Sequence, residues 1–383
     1  MLHTAMAVSD DIYFEDALEK VIDECIDKIG AITPQVGIVL TSCMDGDFPA
    51  MLRKITDAFP TIELIGCTTD GEITRQSGFI EDSIALLLLA SDTATFGAAI
   101  AENISINAKE SFSRARDEAQ RKIGGDPVCG FMFPDGLTTT STSLDICIRE
   151  VFGEIFPIFG GTAGDHYTFK GTSQFYNTGV FHDAAPLLLL GGELKVSVSV
   201  RKGPVPTGPH YRVNRYEKNV VYEIDDKNAL DFYHENMGGY KKQFALFPLA
   251  VYQEGSNEYY LRNPYVFDER NRLIRFVGNF PDKCTIRLTQ VSRDYTCIAA
   301  QQANQEILDR AEQDPEILLL FACTSLRQLL GTRAGEKFAL LNTQVQSPFF
   351  GFYGYGEISP QRVGLPVNYH SDSYVIVSLD SKS

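Results

Sequence analysis

The chain has 383 residues, of which 44% are hydrophobic and 22% are charged, values typical of a globular protein with one large domain or two domains. Its 34 basic and 50 acidic residues give a formal charge of −16, which argues against a nucleic-acid-binding face and against binding to an anionic membrane. No segment has the pattern of a signal peptide, and no apolar run approaches the roughly 18 residues of a membrane helix. We therefore expect a cytoplasmic protein whose eight scattered cysteines are reduced.

Helices and buried strands alternate from the N-terminus onwards. Residues 9–30 place apolar side chains at helical spacing before Gly30, which predicts a helix that ends at this glycine. The continuous apolar run at 36–43 (VGIVLTSC) predicts a strand that is buried on both faces. A second helix is predicted at 48–59, and the stretch 62–73 (IELIGCTTDGEI) predicts a strand followed by a loop of small residues, hydroxyls and acids.

The order strand, helix, strand and glycine loop occurs three times along the chain. The copies span residues 36–73, 128–165 and 317–358, and their strands and loops have similar spacing. Repeated strand–helix units are typical of α/β proteins. We predict mixed buried sheets with flanking helices, built from degenerate strand–helix–strand repeats, plus an α+β insertion in the C-terminal half.

The region between the second and third copies has a different pattern, with alternating strands, hairpins and a short helix. Residues 201–212 (RKGPVPTGPHYR) are rich in proline and glycine and predict an extended connector. This connector suggests a domain boundary, which we place between residues 1–222 and residues 223–383.

The three glycine loops are the predicted functional site. Each loop follows the carboxyl end of a predicted strand, where ligands bind in open α/β sheets. If the loops converge, they form a polar pocket with excess negative charge, which suits an ammonium group or a cation better than a phosphate. Alternatively, the loops are tight turns with helix-capping acids. The candidate ligand-binding residues are Gly66, Thr68, Thr69, Asp70, Gly71, Glu72, Gly160, Gly161, Thr162, Asp165, His166, Gly356 and Glu357.

Catalytic motifs are not evident in the sequence. The glycine spacing differs from nucleotide-binding loops, and the six histidines are too dispersed to indicate a nucleophile–base pair. We therefore expect a protein that is not an enzyme. Two alternatives remain open, namely a metal-assisted enzyme that uses the four loop carboxylates and a scaffold whose acidic surface binds a partner without a ligand.

A haem-binding alternative rests on a single histidine. His234 lies one helical turn after Leu230, close to Tyr233 and Met237. Such a residue is either a histidine at the edge of the core with one hydrogen bond or an axial haem ligand in an apolar pocket.

Several of these stretches resemble FIST N and FIST C domains. The resemblance is carried by 65–73 (IGCTTDGEI), 159–165 (FGGTAGD) and 351–360 (GFYGYGEISP), and by 220–238 (VVYEIDDKNALDFYHENMG) within the second half. It implies a FIST N-like ligand-sensing domain at 1–222 and a FIST C-like domain at 223–383. The sequence departs from the family pattern at Asn368, Tyr369 and His370, where the family usually has Asn-Thr.

The resemblance also implies a function. FIST domains are proposed to be bacterial or archaeal sensory modules that bind small ligands such as amino acids, and a stand-alone member would act through a partner such as a histidine kinase. Some stand-alone members are described as haem proteins that sense nitric oxide, for which His234 would be the axial ligand here.

Overall fold

The computed structural model describes residues 1–138, 144–236, 247–255 and 257–382, and for Leu340 only the backbone. The chain folds as three repeats of one pattern, in which strands and helices are followed by a short hairpin and a final strand. The first repeat consists of β1 (Leu2–Ser9), α1 (Phe14–Ile29), β2 (Val36–Thr41), α2 (Phe48–Ala58), β3 (Glu63–Thr68), β4 (Glu72–Thr74), β5 (Gly78–Ile80) and β6 (Ile84–Ser91).

The other two repeats follow the same order. The second consists of β7 (Ala94–Glu102), α3 (Ile104–Ile123), β8 (Pro127–Met132), α4 (Leu144–Phe152), β9 (Ile158–Gly161), β10 (Gln174–Tyr176), β11 (Gly179–Phe181) and β12 (Ala184–Gly192). The third consists of β13 (Leu194–Lys202), α6 (Arg293–Arg310), β22 (Ile317–Cys323), α7 (Thr324–Leu330), α8 (Glu336–Gln344), β23 (Phe349–Gly354), β24 (Glu357–Pro360), β25 (Val367–His370) and β26 (Ser373–Ser381).

Local sequence explains the ends of several helices. The Asp47 side chain accepts a hydrogen bond from the Ala50 amide at 2.9 Å and so caps α2, and Ser292 caps α6 by accepting from the Tyr295 amide at 3.1 Å. Helix α1 ends at Gly30, as predicted, with φ of 61°. One face of α1 is buried against the first sheet, which agrees with its apolar spacing.

The three repeats exchange their hairpins in a closed cycle. Each repeat supplies four strands to one six-stranded sheet and its hairpin to another. The hairpin β10–β11 joins the first sheet, β24–β25 joins the second, and β4–β5 joins the third. Each sheet contains one parallel pair, β2/β3, β8/β9 or β22/β23, among antiparallel neighbours. One repeat alone would leave a sheet edge unpaired, so the three repeats stabilise one another.

A shared core lies between the inner faces of the three sheets. It contains buried apolar side chains from every repeat, and Phe131, Phe321 and Phe352 meet there with ring centroids 5.6–6.4 Å apart. The helices cover the outer faces and form a separate apolar cluster with each sheet. The predicted fold class, mixed buried sheets with flanking helices, is confirmed.

The insertion lies between β13 and α6 in the third repeat. Its elements are β14 (Val205–Glu217), β15 (Val220–Ile224), β16 (Lys227–Asn228), α5 (Ala229–Asn236), β17 (Leu249–Gln253), β18 (Tyr259–Arg262), β19 (Pro264–Asp268), β20 (Leu273–Phe276) and β21 (Cys284–Gln290). Residues 205–217 are a strand rather than the predicted connector, because β14 pairs with both β15 and β21. No helix among the described residues is long and apolar enough to span a membrane.

Candidate functional site

The three glycine loops begin at equivalent positions of the three sheets. In each parallel strand pair, one glycine lies so close to its neighbour that an added Cβ would stand 1.8–2.0 Å from a backbone carbonyl oxygen. These contacts are Gly66 to Val39, Gly160 to Met132 and Gly351 to Leu320. Only glycine fits such an approach. Gly66 and Gly160 were among the predicted site residues, and Gly351 was not, because the third loop contains several other glycines.

Backbone hydrogen bonds join the loops into a closed ring. In each loop, the donor is the amide of the fourth residue after the equivalent glycine. The acceptor lies in another repeat and is the carbonyl of the second residue after the glycine of that repeat. The bonds are Gly164 N to Thr68 O at 3.0 Å, Tyr355 N to Thr162 O at 3.2 Å, and Asp70 N to Tyr353 O at 2.8 Å. The loops therefore converge, as the pocket interpretation required.

The three exchanged hairpins begin with equivalent buried residues. Glu72, Gln174 and Glu357 each stand opposite the residue that follows an equivalent glycine, and all three are fully buried. The strand register also makes Ser83, Ala184 and Ser373 equivalent to one another, at or just before the start of the final strand of each repeat. Ser83 donates to Glu72, and Ser373 donates to Glu357. The second repeat has Gln174 and Ala184 at these positions, so two of the three repeats form a carboxyl–hydroxyl pair.

Burial changes the proton affinity of Glu72. The side chain accepts hydrogen bonds from Ser83, from Thr69 and, at 2.7 Å, from Ser42. Loss of solvent nevertheless outweighs these bonds and raises the pKa of Glu72 to about 7. The folded protein therefore retains a proton here that the unfolded chain releases at lower pH.

We predict that Glu72→Gln removes a pH dependence of stability. In the parent protein, unfolding releases this proton between the unfolded pKa of 4.5 and the folded value of about 7, so stability falls as pH rises through this window. As pH rises through this window, the unfolding free energy of the variant should increase by about 3 kcal/mol relative to that of the parent. Urea denaturation from pH 4.5 to 7.5 measures this difference. Glu19→Gln, at an exposed carboxylate paired with Lys54, should show no such trend, and a flat difference for Glu72→Gln would contradict the prediction.

Asp165 organises a loop with its carboxylate. It accepts hydrogen bonds from the amides of Phe169 at 3.1 Å, Lys170 at 2.7 Å and Gly171 at 3.1 Å, and from the Tyr355 hydroxyl. Burial alone would raise the pKa of Asp165, but these donors, led by Tyr355, hold it below its usual value. The donors occupy both oxygens, so Asp165 shapes the site rather than facing a ligand.

The other predicted residues also lie in the ring. The Asp70 carboxylate accepts from the His166 amide at 2.7 Å, and the His166 imidazole contacts the Ser42 carbonyl at 2.8 Å. Thr68 accepts from the Ser173 amide through its hydroxyl, at 3.0 Å. The remaining predicted positions form the loop backbone, namely Gly71, Gly161, Thr162 and Gly356.

Five polar atoms are buried together at this ring, where the Thr324 hydroxyl interacts with Asp70 and Tyr167, and the Asn263 side chain interacts with Asp372. The five atoms are Asp70 Oδ2, the Tyr167 hydroxyl, Thr324 Oγ1, Glu357 Oε1 and Asp372 Oδ2. Glu357 Oε1 has no such neighbour among the described residues, and a buried polar atom without a partner calls for a ligand or bound water. Tyr167, Thr324 and Asp372 were not predicted, because they lie outside the glycine loops in sequence.

Electrostatic interactions link these buried groups. The phenol of Tyr167 interacts with Asp70 and Asp372, and Asp372 interacts with Glu357. Burial raises the pKa of Asp70 and Glu357, and it raises the pKa of Asp372 to about 6. A cation placed among these carboxyl groups would favour their ionised forms and so bind with release of protons.

Lys337 lies beside this group and is 1% exposed. Its ammonium stands 4.7, 4.9 and 5.1 Å from the ring centroids of Tyr353, Tyr374 and Phe338. Its Nζ makes no hydrogen bond to a described residue. Burial lowers the pKa of Lys337 to about 7, against a smaller raising effect of nearby acidic groups that include Glu357.

The haem-binding role of His234 stays a prediction, because residues 237–246, which follow it, lie outside the described residues. His234 lies on α5, in the insertion, where the neighbouring Tyr233 is fully buried. The Tyr233 ring centroid is 5.9 Å from that of Phe267 and 6.2 Å from that of Phe276. These rings pack around Tyr233, and Met237 lies outside the described residues.

The carboxylates considered for a metal-assisted reaction do not form a metal-binding group. Within the parts of the chain that the structure describes, no three histidine, cysteine, aspartate or glutamate side chains are arranged to hold a metal ion.

Comparison with known families identifies both halves of the chain. The FIST N domain matches residues 35–227, and the FIST C domain matches residues 229–360. The chain belongs to the FIST family. FIST domains are associated with sensory signal transduction and bind small ligands. The family assignment made from the sequence is therefore confirmed.

One related protein matches this FIST protein over only part of its own length. An uncharacterized protein of Methanocaldococcus jannaschii is 29% identical over 249 residues, which cover 60% of this chain and 47% of the relative. The chain therefore spans about half the length of the curated relative that it matches.

Two solved structures correct one expectation. The cyanuric acid hydrolase from A. caulinodans is similar over 100% of both chains, with a TM-score of 0.42 and 10% identity. A second cyanuric acid hydrolase covers 99% of both chains, with a TM-score of 0.38 and 8% identity. Both are enzymes, which contradicts the expectation that this protein is not an enzyme, and we withdraw that expectation. At these TM-scores, neither structure indicates a reaction or a substrate for the FIST protein.

Proposed function

We propose that this FIST protein senses a small ligand that carries an ammonium group, and that an amino acid is the simplest candidate. The observation that carries the proposal is the cluster of buried carboxyl groups on Asp70, Glu357 and Asp372, in which Glu357 Oε1 has no hydrogen-bond partner among the described residues. An ammonium group has three N–H donors and a positive charge. It therefore supplies both the hydrogen bonds and the opposite charge that buried carboxylates need.

A neighbouring arginine favours an amino acid over a simple amine. Arg327 interacts electrostatically with Asp70 and forms an ion pair with Glu81, and its Nε is buried without a hydrogen bond to a described residue. An amino acid would place its ammonium group toward the Asp70 carboxylate and its carboxylate toward the Arg327 guanidinium.

Asp372 provides a route from the ligand to the insertion. Its carbonyl accepts from the Gly203 amide at 3.1 Å, where the chain enters the insertion. The Asn263 side chain, between β18 and β19, interacts with the Asp372 carboxyl and partly opposes the raising effect of burial on its pKa. A ligand that favours one arrangement of Asp372 would therefore change the packing of the insertion. A coupling of about 1–3 kcal/mol is sufficient for signalling to a partner such as a histidine kinase.

Calorimetric titration of the twenty amino acids, followed by Asp70→Asn, tests the proposal. The variant keeps the size of the side chain and removes its charge, so we expect at least tenfold weaker binding of the amino acid that binds the parent protein. Asp10→Asn, on an exposed residue after β1, is the matched control and should bind normally. Equal affinity in the Asp70 variant, or no saturable binding of any amino acid, would make us abandon this site.

A functional assay complements the binding measurement. Autophosphorylation of the partner histidine kinase should respond to the ligand with parent protein and with Asp10→Asn, but not with Asp70→Asn. A response that is independent of Asp70 would instead favour a scaffold that binds its partner without a ligand.

A further inference from the structure

A cavity lies between the insertion and the three-repeat core. It has a volume of about 240 Å³ and is lined by α4 and β25 of the core and by β18 and the 278–281 segment of the insertion. Water occupies about 30 Å³ per molecule in the liquid, so the cavity is large enough for a small organic molecule. Cavities between domains are frequent ligand sites.

Two arginines from opposite walls face this cavity. Arg262 comes from the insertion and is 7% exposed, and Arg149 comes from α4 of the core. The Arg262 Nε donates to the Asn279 carbonyl at 2.9 Å, and its Nη1 donates to the Leu261 carbonyl at 3.0 Å. A guanidinium has five N–H donors, and these bonds leave the Nη2 donors for another partner.

Packing holds both guanidinium groups in place. Gly278 leaves room for Arg262, because an added Cβ would stand only 3.1 Å from the Arg262 Nε. The Arg149 Nη1 donates to the Val367 carbonyl at 2.9 Å and lies 3.6 Å from the Asp145 carboxylate. The Arg149 Nε also lies 3.7 Å from the carboxylate of Glu154, whose side chain is 70% exposed. Among the residues that line the cavity, the two arginines outnumber the one aspartate, in a chain whose formal charge is −16.

The remaining walls suit an apolar body with one anionic end. Tyr260, Phe280, Pro281 and Tyr369 supply aromatic and aliphatic surface. Arginine binds carboxylates through paired hydrogen bonds, and aromatic walls bind flat or branched apolar groups. We propose that this cavity binds a small carboxylate with an apolar body, held between Arg149 and Arg262.

This site is distinct from the loop ring and goes beyond the proposed amino acid sensing. Tyr369 separates the two, because its ring lines the cavity while its hydroxyl donates to the Tyr355 carbonyl at 3.2 Å in the loop ring. A carboxylate bound across the cavity would contact the insertion and the core at the same time. It would therefore stabilise one arrangement of the two parts.

The absence of tryptophan from the chain provides a clean reporter. In a Tyr260→Trp variant, all indole fluorescence comes from the wall of the cavity. Benzoate, phenylacetate and isobutyrate are the probes, and benzamide is the neutral control with the shape of benzoate. We expect a saturable fluorescence change with at least one carboxylate and none with benzamide, and calorimetry on the unmodified protein should give the same affinity.

Arginine variants then locate the binding. Arg149→Lys and Arg262→Lys should each raise the Kd at least tenfold, since lysine keeps the charge but loses the paired donors. Arg310→Lys is the matched control, because Arg310 also pairs with an acid four residues earlier and donates to a strand carbonyl at 2.9 Å. It should bind like the parent protein.

Three results would overturn the proposal. They are no saturable binding of any of the three carboxylates to unmodified protein, equal binding of benzamide, and unchanged binding in Arg149→Lys. If Arg262→Lys does not fold, Arg149→Lys decides alone. Asp70 does not line this cavity, so Asp70→Asn should bind the carboxylate normally. This variant therefore distinguishes failure of the carboxylate proposal from failure of the amino acid proposal.

Discussion

Gly66→Ala is expected to destabilise the protein by about 3 kcal/mol or more, at the upper end of the cost of overpacking. An added Cβ would stand 1.9 Å from the Val39 carbonyl oxygen and 2.9 Å from the carbonyl carbon. Both are backbone atoms of a paired strand, so no side-chain rotation can relieve the contact. Gly66 also pairs with Phe175 of the exchanged hairpin on its other side, and a shift of β3 would disturb two repeats.

Urea denaturation of Gly66→Ala and Gly125→Ala measures this cost. Gly125 has open space around an added Cβ, so its variant should stay within about 0.5 kcal/mol of the parent. If Gly66→Ala does not fold, the two variants are compared by expression under the same conditions. Only the Gly125→Ala variant should then give soluble, helical protein. Equal stability of the two variants would contradict the close approach of β2 and β3.

The effect of Lys337→Met on the unfolding free energy is expected to depend on pH. The effect should be more favourable at pH 6 than at pH 10.5, by up to about 5 kcal/mol. Below the folded pKa of about 7, the parent buries a charged ammonium without a described hydrogen bond. Between pH 7 and the unfolded value of 10.5, only the unfolded chain holds this proton, so the stability of the parent rises with pH. Methionine has no such dependence, and its advantage should therefore shrink across this window.

The measurement is the difference in unfolding free energy between variant and parent at pH 6, 8 and 10. The three aromatic rings around the ammonium stabilise its charge and reduce the difference from its upper value. Lys54→Met, at an exposed lysine paired with Glu19, should show no comparable trend. A constant difference for Lys337→Met would mean that this lysine keeps the same charge in the folded and unfolded states.

Sequence periodicity was sufficient for the buried strands and for the number of repeats. The runs that became β2, β8 and β22 are continuous and apolar because helices cover one face and the shared core covers the other. Strand β14 was mistaken for a connector because its prolines and glycines are typical of loops. Pairing with β21 and β15 outweighs that local preference, and a register shift between Thr207 and Tyr211 accommodates the irregular residues.

The candidate site was predicted in part. The loop residues Asp70, Glu72 and Glu357 were found from glycine and acid spacing, and the structure brings them into one ring. Asp165 was grouped with them by position in the loop. Register instead makes Gln174 the equivalent of the two glutamates, nine residues later in the chain, and no local pattern marks that residue.

The sequence by itself determined the family, the α/β class and the glycine loops, because these depend on residue order and on short periodic patterns. Only the tertiary structure decided that hairpins are exchanged around a cycle, that Asp372 and Thr324 join the ring, and that Arg149 and Arg262 face one cavity. These arrangements depend on pairing between strands far apart in sequence. The physical reason is that a buried polar atom or a sheet edge can be satisfied by any partner the fold brings near, and the choice among partners is made by packing of the whole chain.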